Sequence, residues 1–160
     1  VFGIYFGLKL ANAGQAPASA GSAIGYSILG LLLLPALGFV AVKLGLPSQR
    51  VAAFGVFVVL PIIGPAVAYR AWPALGRTLL AYALAARIPV ILVMLFAILG
   101  NWGTHYDVPP PNFPEMGPIA KWLAIGVLPQ LTIWIWFTMA AGAVCGAIAA
   151  AASGRTRSEG

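Results

Sequence analysis

The stretch Ser22-Ala23-Ile24-Gly25-Tyr26-Ser27-Ile28-Leu29-Gly30-Leu31-Leu32-Leu33-Leu34-Pro35-Ala36-Leu37-Gly38-Phe39-Val40-Ala41-Val42 carries no charge, and its apolar character continues past Lys43 to Leu46. A helix of about 20 apolar residues crosses the roughly 30 Å hydrocarbon core of a bilayer. The segment 22–46 is apolar throughout rather than on one periodic stripe, so it reads as a transmembrane helix.

Three further segments have the same character: 51–69, 78–99 and 119–152. The last is longer than a perpendicular crossing needs, which implies tilt, a kink or an interfacial first turn. Composition agrees, with 61% hydrophobic and only 8% charged residues, against about 25% charged in soluble domains. Too few charges are present to cover a soluble surface. The expected fold is an all-α integral membrane helical bundle of four transmembrane helices. It forms a single transmembrane domain over residues 1–160, with 1–21 as an N-terminal segment and linker, 101–118 as a Pro-rich outer loop and 153–160 as a polar tail. Val1 to Leu8 are apolar but too short to span alone. They read as a mature terminus, a processing stub or the remnant of a longer, truncated extra helix. Leu10 to Ala20 reads as loop, from its small residues.

Basic residues set the expected orientation. With four crossings, Lys9, Arg70, Arg77, Arg155 and Arg157 share one side, and Lys43, Arg50 and Lys121 the other. Cytoplasmic flanks carry the excess of Lys and Arg, which places both ends of the chain in the cytoplasm of a bacterial-type inner membrane. Trp72, Trp102, Tyr106 and Trp122 fall near helix ends, where amphipathic rings favour the interface. Trp134 and Trp136 lie deeper and alternate with Ile133 and Ile135, so one is expected to face lipid and the other a neighbouring helix. The net charge of +6 flanks apolar runs and shows no basic stripe with interleaved aromatics. Membrane lipids are therefore the expected partners, and nucleic acid is not.

Arg87 is the most informative residue. It sits mid-span, where a cation costs about 2.5–3.5 kcal/mol on insertion scales, and no Asp or Glu occurs in any expected span. Three readings follow. Arg87 lines a cavity with Gln130 and Tyr82 and binds an anion; or it reaches Gln130, Thr132 or backbone carbonyls freed by a proline; or it snorkels to the interface or contacts another subunit. Each expected helix also holds an internal proline. Pro61, Gly64 and Pro65, Pro89 and Pro129 are candidate hinges, because proline removes a helical hydrogen bond and clashes with the preceding turn; Pro35 is the proline of the first helix. Gly21 with Gly25, and Gly142 with Gly146, have the GxxxG spacing of close helix packing.

His105, Asp107 and Glu115 share one loop without a recognised metal-ligand spacing, so no metal is expected. Cys145 is the only cysteine, which excludes an internal disulfide. Nothing calls for a cofactor, and no nucleophile–base pair or intramembrane carboxylate pair appears. The leading expectation is a small transport, channel or lipid- or anion-binding bundle with Arg87 as its contact, a non-enzyme alone, as a homo-oligomer or in a larger complex. The alternatives are an enzyme acting on a lipid-like substrate at the outer interface, with His105 or Tyr106 supplying acid–base chemistry, and a structural subunit of a membrane complex.

Overall fold

The structure, a computed structural model, describes residues 1–48, 52–53, 55–111 and 113–154. Within them the chain is all-helical, with no strand. Five helices follow in order: α1 (Phe2–Asn12), α2 (Ala20–Lys43), α3 (Gly55–Ala71), α4 (Pro73–Gly100) and α5 (Pro118–Ala152). By length and composition, α2, α4 and α5 can each cross a membrane. The segment expected as a second span is shorter: α3 has five residues of π-helix followed by twelve of α-helix. That makes about 25 Å at 1.5 Å per residue, less than the hydrocarbon core. The start expected for it, Val51, lies outside the described residues.

Local chemistry explains the boundaries. Ser19 caps α2, its hydroxyl accepting the Ser22 amide at 3.3 Å, so the helix begins before Ser22. It ends before the expected Leu46 because Gly45 turns left-handed, at φ 67°. α4 begins at Pro73 rather than near Thr78, since proline suits the first turn of a helix. α1 extends to Asn12, although Leu10 to Asn12 read as linker. The cause is tertiary: Ala11 is buried in the core cluster with Ala68, Trp72, Leu75 and Leu79.

α5 is the central helix and packs against all four others, while α2 and α3 form a second close pair. The close approaches occur at glycines. A Cβ on Gly3 would collide with the backbone of Gly142, and one on Gly7 would lie 2.7 Å from the Gly146 Cα. α1 and the second half of α5 therefore run parallel, with Gly3-x-x-x-Gly7 seated on Gly142-x-x-x-Gly146. Gly30 of α2 and Gly64 of α3 meet in the same way. Gly21 and Gly25 do not take part: no atom lies within 4 Å of a Cβ on Gly25, and Gly21 would meet only the Ser19 hydroxyl at 3.9 Å.

Trp72 is the sole residue between α3 and α4. It is only 4% exposed, and its indole donates to the Gln15 carbonyl at 2.7 Å. Rather than lying at a lipid interface, it fastens the α3–α4 turn to the α1–α2 linker. Those two connections and the end of α5 thus share one end of the bundle, the Trp72 end. The α2–α3 connection and the 101–117 loop form the other, the loop end. Among described residues, Lys9, Arg70 and Arg77 lie toward the Trp72 end and Lys43 and Lys121 toward the loop end. Arg50, Arg155 and Arg157 lie outside the described residues.

Over-packing a close contact costs about 1–3 kcal/mol. Gly7→Val is expected to lower the thermal stability of the detergent-solubilised protein by that amount, and Gly25→Val to leave it nearly unchanged. Equal losses in the two variants would rule out the glycine seam as what holds α1 to α5.

Candidate functional site

Two prolines open the helices that contain them. The ring of Pro61 clashes with the carbonyl four residues earlier, and the backbone from Gly55 to Val59 widens into a π-helix. Pro129 stands in the same relation to the π-helix Trp122–Val127. α5 then bends again at Thr132, whose φ and ψ of −109° and −80° leave the helical range, and whose hydroxyl donates to the Leu128 carbonyl at 2.7 Å. Pro35 and Pro89 sit inside α-helix that continues through them. The cluster around Gly64 and Pro65 is likewise α-helical and buried.

The two widened segments face one groove of about 630 Å³ at the loop end. Phe57 comes from the first, Ala124 and Ile125 from the second, and Met94 from α4. His105, Val108, Pro110 and Phe113 of the loop cover it. Trp122 ties the widened part of α5 to α4 by donating to the Ile91 carbonyl at 2.9 Å. The covering loop is held by Asp107, which is 5% exposed. Its carboxylate accepts the Gly103 amide at 3.0 Å, the Thr104 amide at 2.7 Å and the Thr104 hydroxyl at 2.9 Å. The His105 and Tyr106 rings lie against each other at a tilt of 38°, with centroids 3.9 Å apart. No group of three potential metal ligands occurs among the described residues.

A second groove, of about 640 Å³, runs along α3, α4 and α5 toward the Trp72 end. Its walls include Pro61, Ile62, Pro65 and Ala66 of α3, Leu80 of α4, and Leu131, Ile135 and Met139 of α5; Tyr69 and Arg70 line it at the Trp72 end. Thr132, at the bend of α5, lines both grooves. The bend therefore divides the side of the bundle into two apolar recesses.

Arg87 lies in neither groove. Its Nη1 approaches the Gln130 Oε1 at 3.5 Å, beyond the usual 2.7–3.2 Å range for an N–H···O bond. Its guanidinium carbon stands 4.9 Å from the centre of the Trp134 ring. The buried Nε has no hydrogen-bond partner among the described residues. A cation–π contact is worth about 0.5–2 kcal/mol, less than the roughly 2.5–3.5 kcal/mol cost of a cation at mid-bilayer. Tyr82, expected beside Arg87, instead packs against α1, its ring centre 4.7 Å from Phe2 and 5.7 Å from Phe6. Trp134 and Trp136 do face different ways. Trp134 is 43% exposed, whereas the Trp136 indole donates to the Gly30 carbonyl at 3.2 Å and lies against Gly64.

Arg70 and the pair Gly3 and Gly7 escaped the sequence reading as site and packing residues. The glycines carried a signal, the same four-residue spacing as Gly142 and Gly146. Arg70 carried none beyond its place near a helix end. Comparison with models of protein families finds no match, nor does comparison with curated proteins or with solved structures.

Burial raises the Asp107 carboxyl, but its bonds from the Thr104 and Gly103 amides and the Thr104 hydroxyl, with the charge of Lys121, outweigh this and leave it below 3.8. A depressed carboxylate contributes stability that is full above its unfolded value and lost as pH falls through the folded one. Amide-exchange protection at Gly103 and Thr104 is thus expected to hold at about pH 5 and disappear on acidification below the ordinary carboxylate range. In Asp107→Asn it should be weakened at both. Protection that ignores both the acid and the substitution would show that Asp107 does not order the loop.

Proposed function

We propose that this is an integral membrane protein with four crossings, α2 to α5, and the Trp72 end in the cytoplasm. In this reading it binds a lipid with an anionic headgroup in the groove along α3, α4 and α5. The observation that carries the reading is that groove itself: apolar walls long enough to take an acyl chain, with Arg70 and Tyr69 at the end nearest the basic residues Lys9 and Arg77. Its volume of about 640 Å³ falls in the range typical of small-molecule sites. A headgroup phosphate meets Arg70 through charge-assisted hydrogen bonds. The acyl chain lies over Ile62, Ala66 and Ile135, where it replaces bulk lipid at little cost.

The crossing of α3 is supported by the apolar residues Ala52 and Ala53 shortly before it, which are themselves helical. The orientation is supported by the three basic residues at the Trp72 end against two at the loop end, among described residues. The groove under His105 and Phe113 then opens on the outer side, with Thr132 at the boundary between the two recesses. That arrangement fits a bundle that holds lipid on either side of its bend more directly than one with an aqueous channel.

Two measurements test this. Native mass spectrometry of the detergent-purified protein should show retained phosphatidylglycerol. Arg70→Gln should weaken that retention about fivefold, from roughly 1 kcal/mol per basic residue at the headgroup level, and leave phosphatidylcholine unaffected. Ala66→Phe, which fills the groove, should weaken both; unchanged retention in both variants sinks the lipid site. For topology, Ala18→Cys and Gly117→Cys in a Cys145→Ser background should be labelled from the cytoplasmic and outer sides respectively. Labelling from the same side would mean that one of α2, α3 and α4 does not cross.

A further inference from the structure

We infer that the surface formed by Arg87 and Trp134 is a docking site for a membrane-spanning helix of another protein that carries an Asp or Glu at mid-span. The inference rests on the reading of α4 and α5 as bilayer-crossing helices. Arg87 stands near the middle of Pro73–Gly100, about 20 Å from either end at 1.5 Å per residue, too far to reach the headgroups without distorting the bilayer. It sits half-buried at the edge of the α4–α5 seam. Around it the bundle surface is open: Ile88 is 52%, Trp134 43% and Phe137 49% exposed.

The guanidinium is under-served by its own chain. Gln130 is neutral and 3.5 Å away, and neither the buried Nε nor Nη2 makes a hydrogen bond to the described residues. The guanidinium carbon stands 4.9 Å from the centre of the Trp134 ring, on a side chain that remains half-exposed. A carboxylate pairs with a guanidinium through two parallel hydrogen bonds. A second copy of α2 to α5 cannot provide one at that depth. The three acids of the chain are Asp107, Glu115 and Glu159, and none lies in α2, α3, α4 or α5. Charge complementarity therefore selects a helix other than these, with its acid inside the membrane, where such residues almost always have a partner. Trp134 and Phe137, in edge contact at 6.3 Å, supply the exposed apolar ground on which the partner helix lies.

The test uses designed helices of known sequence in vesicles of phosphatidylcholine. The protein is labelled with a donor fluorophore on Cys145, its only cysteine and an exposed one. Leu-Ala peptides flanked by Lys carry an acceptor and either Asp or Leu at the centre. Wild type should bind the Asp peptide about tenfold more tightly than the Leu peptide, within the strength of interhelical polar contacts in lipid. Arg87→Leu should abolish the difference, and Arg87→Lys, which keeps the charge, should retain part of it. No discrimination by the wild type, or discrimination that survives Arg87→Leu, overturns the inference. So does discrimination that vanishes when phosphatidylglycerol is included, because Arg87 would then be met by a lipid phosphate. Protein that fails to enter vesicles at all would instead contradict the membrane-crossing reading.

Discussion

Contact between helix backbones at glycine fixes the geometry of this bundle. In a bilayer, lipid chains solvate apolar side chains as well as other helices do, so association depends on close packing and on polar contacts. Gly30 and Gly64 bring α2 and α3 together, and the Trp136 indole seals the junction by donating to the Gly30 carbonyl. Gly142 and Gly146 have a further neighbour, since Cβ atoms there would meet Leu79 and Leu75 of α4 at 2.8 and 2.7 Å. Glycines on α5 thus take α1 on one flank and α4 on the other. The hydrogen bond from Trp72 to the Gln15 carbonyl then ties the connections at one end into a single unit.

The prolines determine where this tight bundle opens. Pro61 and Pro129 sit just after widened segments of α3 and α5, and π-type bulges of this kind recur at functional sites. Both lie beside grooves, and Thr132 at the bend of α5 belongs to both. Glycine contacts and proline distortions therefore divide the labour along the same helices. α5 is closely packed in its second half, where glycine and alanine dominate. It is open in its first half, where Pro129 and the bend at Thr132 interrupt the helical ladder.

Much of the fold was legible in the sequence, because hydrophobic runs of 20 or more residues have few alternatives to a long apolar helix. The interruption of α3 and α5 by proline was legible too, from the residue type alone. Which prolines distort the backbone was not: Pro35 and Pro89 have the same covalent effect as Pro129, yet their helices continue. The packing faces were half-legible. Gly142 and Gly146 advertise a close contact, and so do Gly21 and Gly25, but spacing cannot tell which face another helix will cover. Trp72 shows the same limit: its place at a helix end fits a membrane interface, and only the tertiary arrangement reveals that it is buried. For Arg87, sequence position gave the depth and the absence of intramembrane acids. Its pairing with Trp134, and the separation of Tyr82 from it, depend on how α1, α4 and α5 turn about their axes.

The central place of α5 also has a consequence for assembly in time. It follows the other four helices in order of synthesis, yet it is the one that touches them all. Until it joins the others, α1 has no glycine surface to rest on, and the Gly30–Gly64 junction lacks its indole seal. Before that, α2 and α3 can already meet at Gly30 and Gly64, while α1 and α4 lack the α5 glycines they pack against. Closure of the bundle therefore waits on α5, and a chain stalled before residue 118 would leave Gly3 and Gly7 of α1 uncovered.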